Sequence, residues 1–170
     1  MFNVAIVGAT GAVGQELIAV LERRSFPIAS LRPLASERSA GTEITCNGRQ
    51  WTVGVAGPDS FEGIDIAFFS AGATRSRALV PHARAAGALV IDNSSAFRMD
   101  DNVPLVVPEV NPEHLAQHDG LVANPNCVAA ILTVALAPLR QLGNIKRLVV
   151  ATYQSASGAG ARAMEDLLVQ

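Results

Sequence analysis

Cys127 stands directly after Asn124-Pro125-Asn126 and directly before an apolar stretch of helical character that starts at Val128. A thiol at the start of a helix feels the positive end of the helix dipole, which favours the thiolate, the nucleophilic form. Taken alone, a cysteine is more often an inert buried hydrophobe. Cys46 fits that description, since nothing beside Asn47-Gly48 would activate it. The two cysteines sit in such different contexts that no disulfide framework is implied. A second chemical signal is Gly8-Ala9-Thr10-Gly11-Ala12-Val13-Gly14, between a short apolar run and an amphipathic one. Glycines there permit a tight turn and let backbone N–H groups approach a pyrophosphate at the helix N-terminus. The spacing is GxxGxxG rather than GxGxxG, so the assignment rests on the strand-turn-helix context; a turn that merely packs helix on strand is the alternative. A third signal is Leu34-Ala35-Ser36-Glu37-Arg38-Ser39-Ala40-Gly41. An NAD site usually has an acidic residue here, on the ribose 2′-hydroxyl. Arg38, helped by Ser36 and Ser39, can instead cradle a 2′-phosphate with paired charge-assisted bonds. Glu37 competes in favour of NAD, and Arg38 could be a plain solvated charge, but NADP is the better reading.

The elements that must position these residues alternate along the chain. Residues 2–7 read as a short apolar strand, 15–24 as an amphipathic helix and 30–35 as a second strand. Residues 36–42 read as a loop, and 43–55 as a hairpin turning at Asn47-Gly48, a dipeptide that tolerates positive φ. A buried strand over 64–70 ends in the small-residue turn Ser70-Ala71-Gly72, followed by a helix over 75–86 and a strand over 89–92. Strands joined by helical crossovers predict a parallel, doubly wound α/β sheet. Beyond Asp92 the texture changes: 93–98 is polar, 103–110 is apolar with two prolines, and Asn111-Pro112 opens a short helix. A last strand is expected over 121–123, a buried helix over 129–142, a new strand over 145–153 and a new helix over 161–169. That final strand–loop–helix lacks partner elements, so a second domain is expected to begin near Cys127, giving units 1–126 and 127–170.

Composition narrows the function classes. With 49% hydrophobic and 16% charged residues over 170 positions, a sizeable core is easily buried and disorder is not expected. A net charge of −2, with twelve arginines and one lysine scattered along the chain, gives no reason to expect nucleic acid as a partner. No apolar run approaches the roughly 20 residues of a membrane helix, and Met1 leads into a strand with no secretory leader pattern. The expectation is a soluble cytoplasmic protein that binds neither membrane nor metal.

Seven motifs occur in order: GATGAVG at 8–14, LASERSAG at 34–41, SAG at 70–72, DNSSAFRMD at 92–100, VPLVVPEVN at 103–111, NPNC at 124–127 and TYQSASGAG at 152–160. Together they resemble the bacterial aspartate-semialdehyde dehydrogenases, over essentially the whole chain. The resemblance implies a Rossmann-type NADP-binding domain followed by the start of an α+β catalytic and dimerisation domain. It implies reduction of L-aspartyl 4-phosphate to L-aspartate 4-semialdehyde with release of phosphate, toward lysine, threonine and methionine, by a homodimer. Carried over, Cys127 is the nucleophile that forms a thioester. Asn126 helps place the substrate and stabilise the oxyanion, and Gln154 orients the substrate near the thiol. Arg98 binds the phosphate, as a cationic fork suits. Gly8, Thr10, Gly11, Ala12, Val13, Gly14, Ser36, Arg38, Ser39, Ser70, Ala71 and Gly72 hold the dinucleotide, with Ser157, Gly158 and Gly160 in the loop beside the nicotinamide.

The chain departs from the family's pattern in two ways. Many members follow the cysteine with Ser-Thr, where this chain has Val128-Ala129-Ala130, which removes hydroxyls from the helix start but not the nucleophile. The family's catalytic histidine and second substrate arginine fall beyond Gln170, so the residues present are expected to form an incomplete active site. His82 belongs to an expected helix. His114 and His118 are spaced i,i+4 but lack a third metal ligand, and all three read as surface residues. The closest enzymatic alternative is N-acetyl-glutamyl-phosphate reductase, which shares fold and thiol chemistry; Asn126 and TYQSASGAG favour the aspartate enzyme. An alternative of another class is a non-catalytic NADP-binding module.

Overall fold

In the run Phe2–Val7, Val4, Ala5, Ile6 and Val7 are all fully buried, the signature of a strand covered on both faces. The computed structural model, which describes residues 1–169, makes this strand (β1) the middle of the architecture. It is followed by α1 (Ala12–Arg23), β2 (Ile28–Ala35), β3 (Glu43–Cys46), β4 (Arg49–Thr52), β5 (Gly54–Val55), β6 (Ile66–Phe69), α2 (Ala73–Ala85), β7 (Leu89–Asp92) and β8 (Leu121–Ala123). The main sheet runs β5-β2-β1-β6-β7-β8, and every neighbouring pair in it is parallel. The predicted doubly wound α/β sheet is therefore present.

Successive side chains of a strand point to opposite faces, and β1 divides its residues accordingly. Val4 and Ile6 pack with Ile18 and Leu21 of α1, with Leu31, and with Ile44, Cys46 and Val53. Ala5 and Val7 pack with Leu79, Val80 and Ala83 of α2, with Phe61, Phe69 and Val90. Burying any one of these larger side chains contributes about 1.5–3 kcal/mol, so both helices are held to the sheet by their apolar stripes.

Several elements differ from the sequence reading, each for a local reason. Helix α1 starts three residues early because Gly11 has the extended conformation of an N-cap and Ala12 opens the helix. The 43–55 segment is not one hairpin. It turns at Asn47 and Gly48 (φ 52° and 70°), but after Val53 the chain leaves the β3–β4 ribbon, and β5 joins β2 in parallel. The helix after Asn111 is a 3₁₀ helix, Pro112–Gln117. The expected 129–142 helix begins at Cys127, as α3 (Cys127–Leu136), with a 3₁₀ turn Pro138–Gln141 after it. It is not buried: Ile131 is 72% and Leu142 85% exposed, and no residue of α3 is buried. Residues 145–153 form no strand, because no other strand among the described residues lies alongside to accept their hydrogen bonds. The last helix, α4 (Ala161–Val169), follows a 3₁₀ turn, Ala156–Ala159.

Candidate functional site

In the sheet order β1 lies between β2 and β6, so the chain reverses its direction of winding between β1 and β6. Loops at the carboxyl ends of the two strands part there and leave a crevice, the usual ligand position in such sheets. After β1 the chain turns at Gly8 (φ +92°), where Gly8 and Ala9 both donate backbone N–H bonds to Leu34 O, at 2.8 and 3.1 Å. A Cβ on Gly8 would come within 2.9 Å of the Ser70 backbone, so only glycine lets the two loops approach this closely. Gly14 lies beneath the loop, where a Cβ would fall 2.2 Å from Gly8 O. The Gln15 amide donates to Ala9 O at 2.9 Å and pins the loop to α1. Gly11 brings no capping side chain to α1, so the first-turn N–H groups stay available to an anion.

The crevice has a volume of about 460 Å³. Four groups of residues named from sequence line it: Gly8 and Thr10 through Val13, Ser36 with Arg38 and Ser39, Ser70 through Gly72, and Ser157, Gly158 and Gly160. Gly14 alone of the named set does not, being the support below the loop. Ala35, Arg75 and Met164 also line it and were not foreseen. The one available clue was Arg75 itself, a cation three residues after Gly72 in a helix without an acidic residue in its first turn.

The thiol group of residues is built on α3. Asn126 is the N-cap, its Oδ1 accepting from Val128 N at 3.0 Å, which puts Cys127 at the first helical position and leaves it exposed. Gln154 Oε1 faces both neighbours: Asn126 Nδ2 donates to it at 3.4 Å and Cys127 Sγ at 3.8 Å. Three residues of chain then lead from Gln154 to Ser157 in the crevice, a span of at most about 11 Å. Arg98 is half-buried, donating from Nε to Asn124 O and from Nη2 to Asn93 O, both at 2.9 Å. It thereby rests against the strand end that leads into Cys127, and among the described residues its Nη1 makes no hydrogen bond within the protein.

Side chains that the sequence reading gave no role stiffen the Arg98 loop. Asp92 is fully buried and accepts from Ser76 Oγ at 2.8 Å and from Ser94 Oγ at 2.7 Å. Arg77 donates two bonds to Asp100, at 2.8 and 2.9 Å, and lies 4.5 Å over the Phe97 ring. Those hydrogen bonds from Arg77 hold the Asp100 carboxyl below its ordinary range. A buried carboxylate satisfied by hydroxyls depends on tertiary placement, so its role is invisible in the sequence.

The two thiols are chemically distinct. Burial, with a smaller contribution from the Glu22 carboxylate, pushes the Cys46 thiol above its usual value and keeps it protonated at neutral pH. Iodoacetamide near pH 7 should therefore modify one residue per native chain, Cys127, with Cys46 reacting only after denaturation. Peptide mapping checks this; rapid native labelling of Cys46 would show that the face between α1 and the β3–β4 ribbon opens readily.

His114 and His118 do not face one another as an α-helical pair would. His114 Nδ1 lies 3.0 Å from Asn111 Nδ2, and His118, just past the 3₁₀ helix, accepts from Gly120 N through Nδ1. Among the described residues no group of three or more His, Cys, Asp or Glu could hold a metal ion, and no helix is long and apolar enough to cross a membrane.

Comparison with known proteins agrees with this architecture. Residues 3–118 match the family model "Semialdehyde dehydrogenase, NAD binding domain", and residues 136–170 match "Semialdehyde dehydrogenase, dimerisation domain". An aspartate-semialdehyde dehydrogenase of Bacillus subtilis is 52% identical over 99% of this chain and 49% of its own length. The crystal structure of aspartate semialdehyde dehydrogenase II from Vibrio cholerae superposes with a TM-score of 0.93, at 46% identity over 99% of this chain and 51% of that one. The enzyme of Candida albicans, solved with NADP, superposes at 0.71, with 28% identity over 83% of this chain and 47% of that one. The chain spans about half the length of the curated relatives it matches. With a matching NAD-binding domain over residues 3–118 and a crevice built by that domain's glycine loop, the chain belongs to the semialdehyde dehydrogenase family.

Proposed function

We propose that the whole protein is an NADP-dependent aspartate-semialdehyde dehydrogenase, which reduces L-aspartyl 4-phosphate to L-aspartate 4-semialdehyde and releases phosphate. The observation that carries the reading is the segment 154–160. It begins at Gln154, 3.8 Å from the Cys127 thiol, and ends among the glycines that line the crevice. A nucleophile and a dinucleotide site joined by so short a segment suit an acyl group that is first captured on sulfur and then reduced.

The residues present fit NADP. The crevice offers a glycine loop that can touch a pyrophosphate, an uncapped helix N-terminus, and Ser36, Arg38 and Ser39 for a 2′-phosphate. When bound, the cofactor supplies the hydride that reduces the acyl carbon. The chain's own residues do the rest. Cys127 sulfur attacks the acyl carbon, the carbon–oxygen bond to phosphate breaks, and a thioester remains. Arg98 holds the departing phosphate with its free Nη1 side, and Asn126 Nδ2 donates toward the developing oxyanion. Gln154 sets the orientation of the substrate beside sulfur.

In this reading residues 1–126 bind the cofactor, and the segment from Cys127 begins the catalytic and dimerisation part. A homodimer is supported by exposed apolar side chains in or near the dimerisation-domain match, among them Ile131, Leu142, Val149 and Leu168. The enzyme would act in the cytoplasm, in the formation of lysine, threonine and methionine. The test is turnover by the full-length protein of L-aspartate 4-semialdehyde against N-acetyl-L-glutamate semialdehyde, each with NADP and phosphate. Preference for the aspartyl substrate is expected. Preference for the acetylated one would reassign the enzyme, and saturable NADP binding without turnover of either would leave a binding module.

A further inference from the structure

Arg75 occupies the third position of α2, after the N-cap Gly72 (φ +86°), where a cation opposes the helix dipole. No acidic residue in the first turn offsets it. Its neighbours along the helix are paired: Arg77 with Asp100 and Arg84 with Asp119. Among the described residues the Arg75 side chain makes neither an ion pair nor a hydrogen bond within the protein, and the same holds for the Arg38 side chain on the 3₁₀ turn Glu37–Ser39. The two unpaired guanidiniums belong to different elements yet line the same crevice, and both also line an adjoining depression of about 430 Å³. Ala35 and Ser36 are shared between the two spaces as well, so these four residues form the divide between them. Glu37 faces only the outer depression.

We infer that Arg75 is the second arm of a clamp for the ribose 2′-phosphate, which sits between Arg38 on one wall and Arg75 on the other. The inference rests on the cofactor reading above and extends it to a residue that no motif marked. A 2′-phosphate carries close to two negative charges, and two guanidiniums with the uncapped end of α2 match it. A dinucleotide without that phosphate leaves both cations facing each other unneutralised, so the clamp discriminates against NAD as well as favouring NADP. It also explains how NADP is preferred although Glu37 stands next to Arg38: two cations face the crevice and the lone carboxylate lies outside it.

The test is an equilibrium titration of the full-length protein and its R75A and R75Q variants with NADP and, separately, with NAD. Loss of a charge-assisted contact should weaken NADP binding by about 10- to 100-fold, with NAD binding changed by no more than about twofold. The double variant R38A/R75A should bind the two dinucleotides about equally, and R75K should recover part of the loss. Thermal melts of the unliganded variants should not fall, since removing a cation from the first turn relieves a conflict with the dipole. Equal losses for NADP and NAD would place Arg75 on the common part of the dinucleotide and overturn the clamp, as would an unchanged NADP affinity. If the unsubstituted protein saturates with neither dinucleotide, the cofactor reading itself fails. Should R75A not fold, R75Q decides, together with the unsubstituted protein's salt dependence, which must be steeper for NADP than for NAD.

Discussion

Replacing Gly14 with alanine is expected to lower stability by about 3 kcal/mol, about 10 °C in Tm for a chain of this size, and to abolish dinucleotide binding. The added methyl would sit 2.2 Å from Gly8 O and 2.8 Å from Ala9 Cα, contacts that no rotamer change can relieve because both neighbours are backbone. Either α1 must move off the sheet or the Gly8 turn must shift. Moving α1 lifts Ile18 and Leu21 from Val4 and Ile6. Shifting the turn breaks the paired bonds from Gly8 and Ala9 to Leu34 O, which tie the loop to the end of β2. The comparison that isolates the cause is Gly11→Ala. Its Cβ would lie 3.3 Å from Gly8 O, at an ordinary negative φ of −77°, so the cost should stay near 1 kcal/mol or less. Melting curves and NADP titrations of both variants check this; equal Tm values would mean that Gly14 is not the close-packing point of the loop.

The contrast between these two glycines shows what the sequence could and could not disclose. Three glycines at regular spacing between an apolar run and an amphipathic one announce a turn beneath a helix. Only the folded arrangement separates Gly14, which packs beneath the loop, from Gly8 and Gly11, which line the crevice. Elements buried on both faces were legible for the same physical reason. The strands β1, β7 and β8 keep the bounds read from their apolar runs, because nothing but a covered strand accommodates such runs at that length. The segment 145–153 carries the same apolar character and forms no strand. Pattern reports what a segment would bury, not whether a neighbour is there to bury it against. Helix α3 teaches this equally: its composition is that of a core helix, yet Ile131 is mostly exposed.

Site geometry was legible where backbone conformation dictates residue type, and illegible where a side chain is conscripted by packing. Asn126 as N-cap and Cys127 as first helical residue follow from local chemistry, since asparagine is a strong N-cap. Asp92 and Arg77, which brace the loop bearing Arg98, were hidden because Ser76 and Asp100, which tie them to other elements, lie 16 and 23 residues away, and only the Ser94 bond to Asp92 is local. Arg75 was a third kind of case. Its sign was an electrostatic mismatch with its own helix, whose meaning appeared only once the first turn was seen to line the crevice.

Cys127→Ser in the full-length protein should reduce turnover at least about a thousandfold while leaving NADP affinity unchanged. Cys127 does not line the crevice, so in the proposed mechanism the substitution touches the acyl-transfer step and not the cofactor site. The serine would keep the first position of α3 and give up only the long 3.8 Å contact to Gln154 Oε1, so folding offers no competing explanation. What changes is the nucleophile: a serine hydroxyl remains protonated at neutral pH, and among the described residues Cys127 has only Gln154 as a side-chain partner, which is no base. Mass spectrometry of the unsubstituted protein with aspartyl substrate and no reductant should find the acyl group on Cys127, and none on the variant. Gln154→Ala separates attack from orientation. It should lower turnover and raise KM while the thiol still reacts with iodoacetamide, because in the proposed mechanism Gln154 positions the substrate and does not generate the nucleophile. Turnover by C127S comparable with the unsubstituted protein would remove the thiol from the mechanism, and with it the reason for the segment 154–160 to join α3 to the crevice.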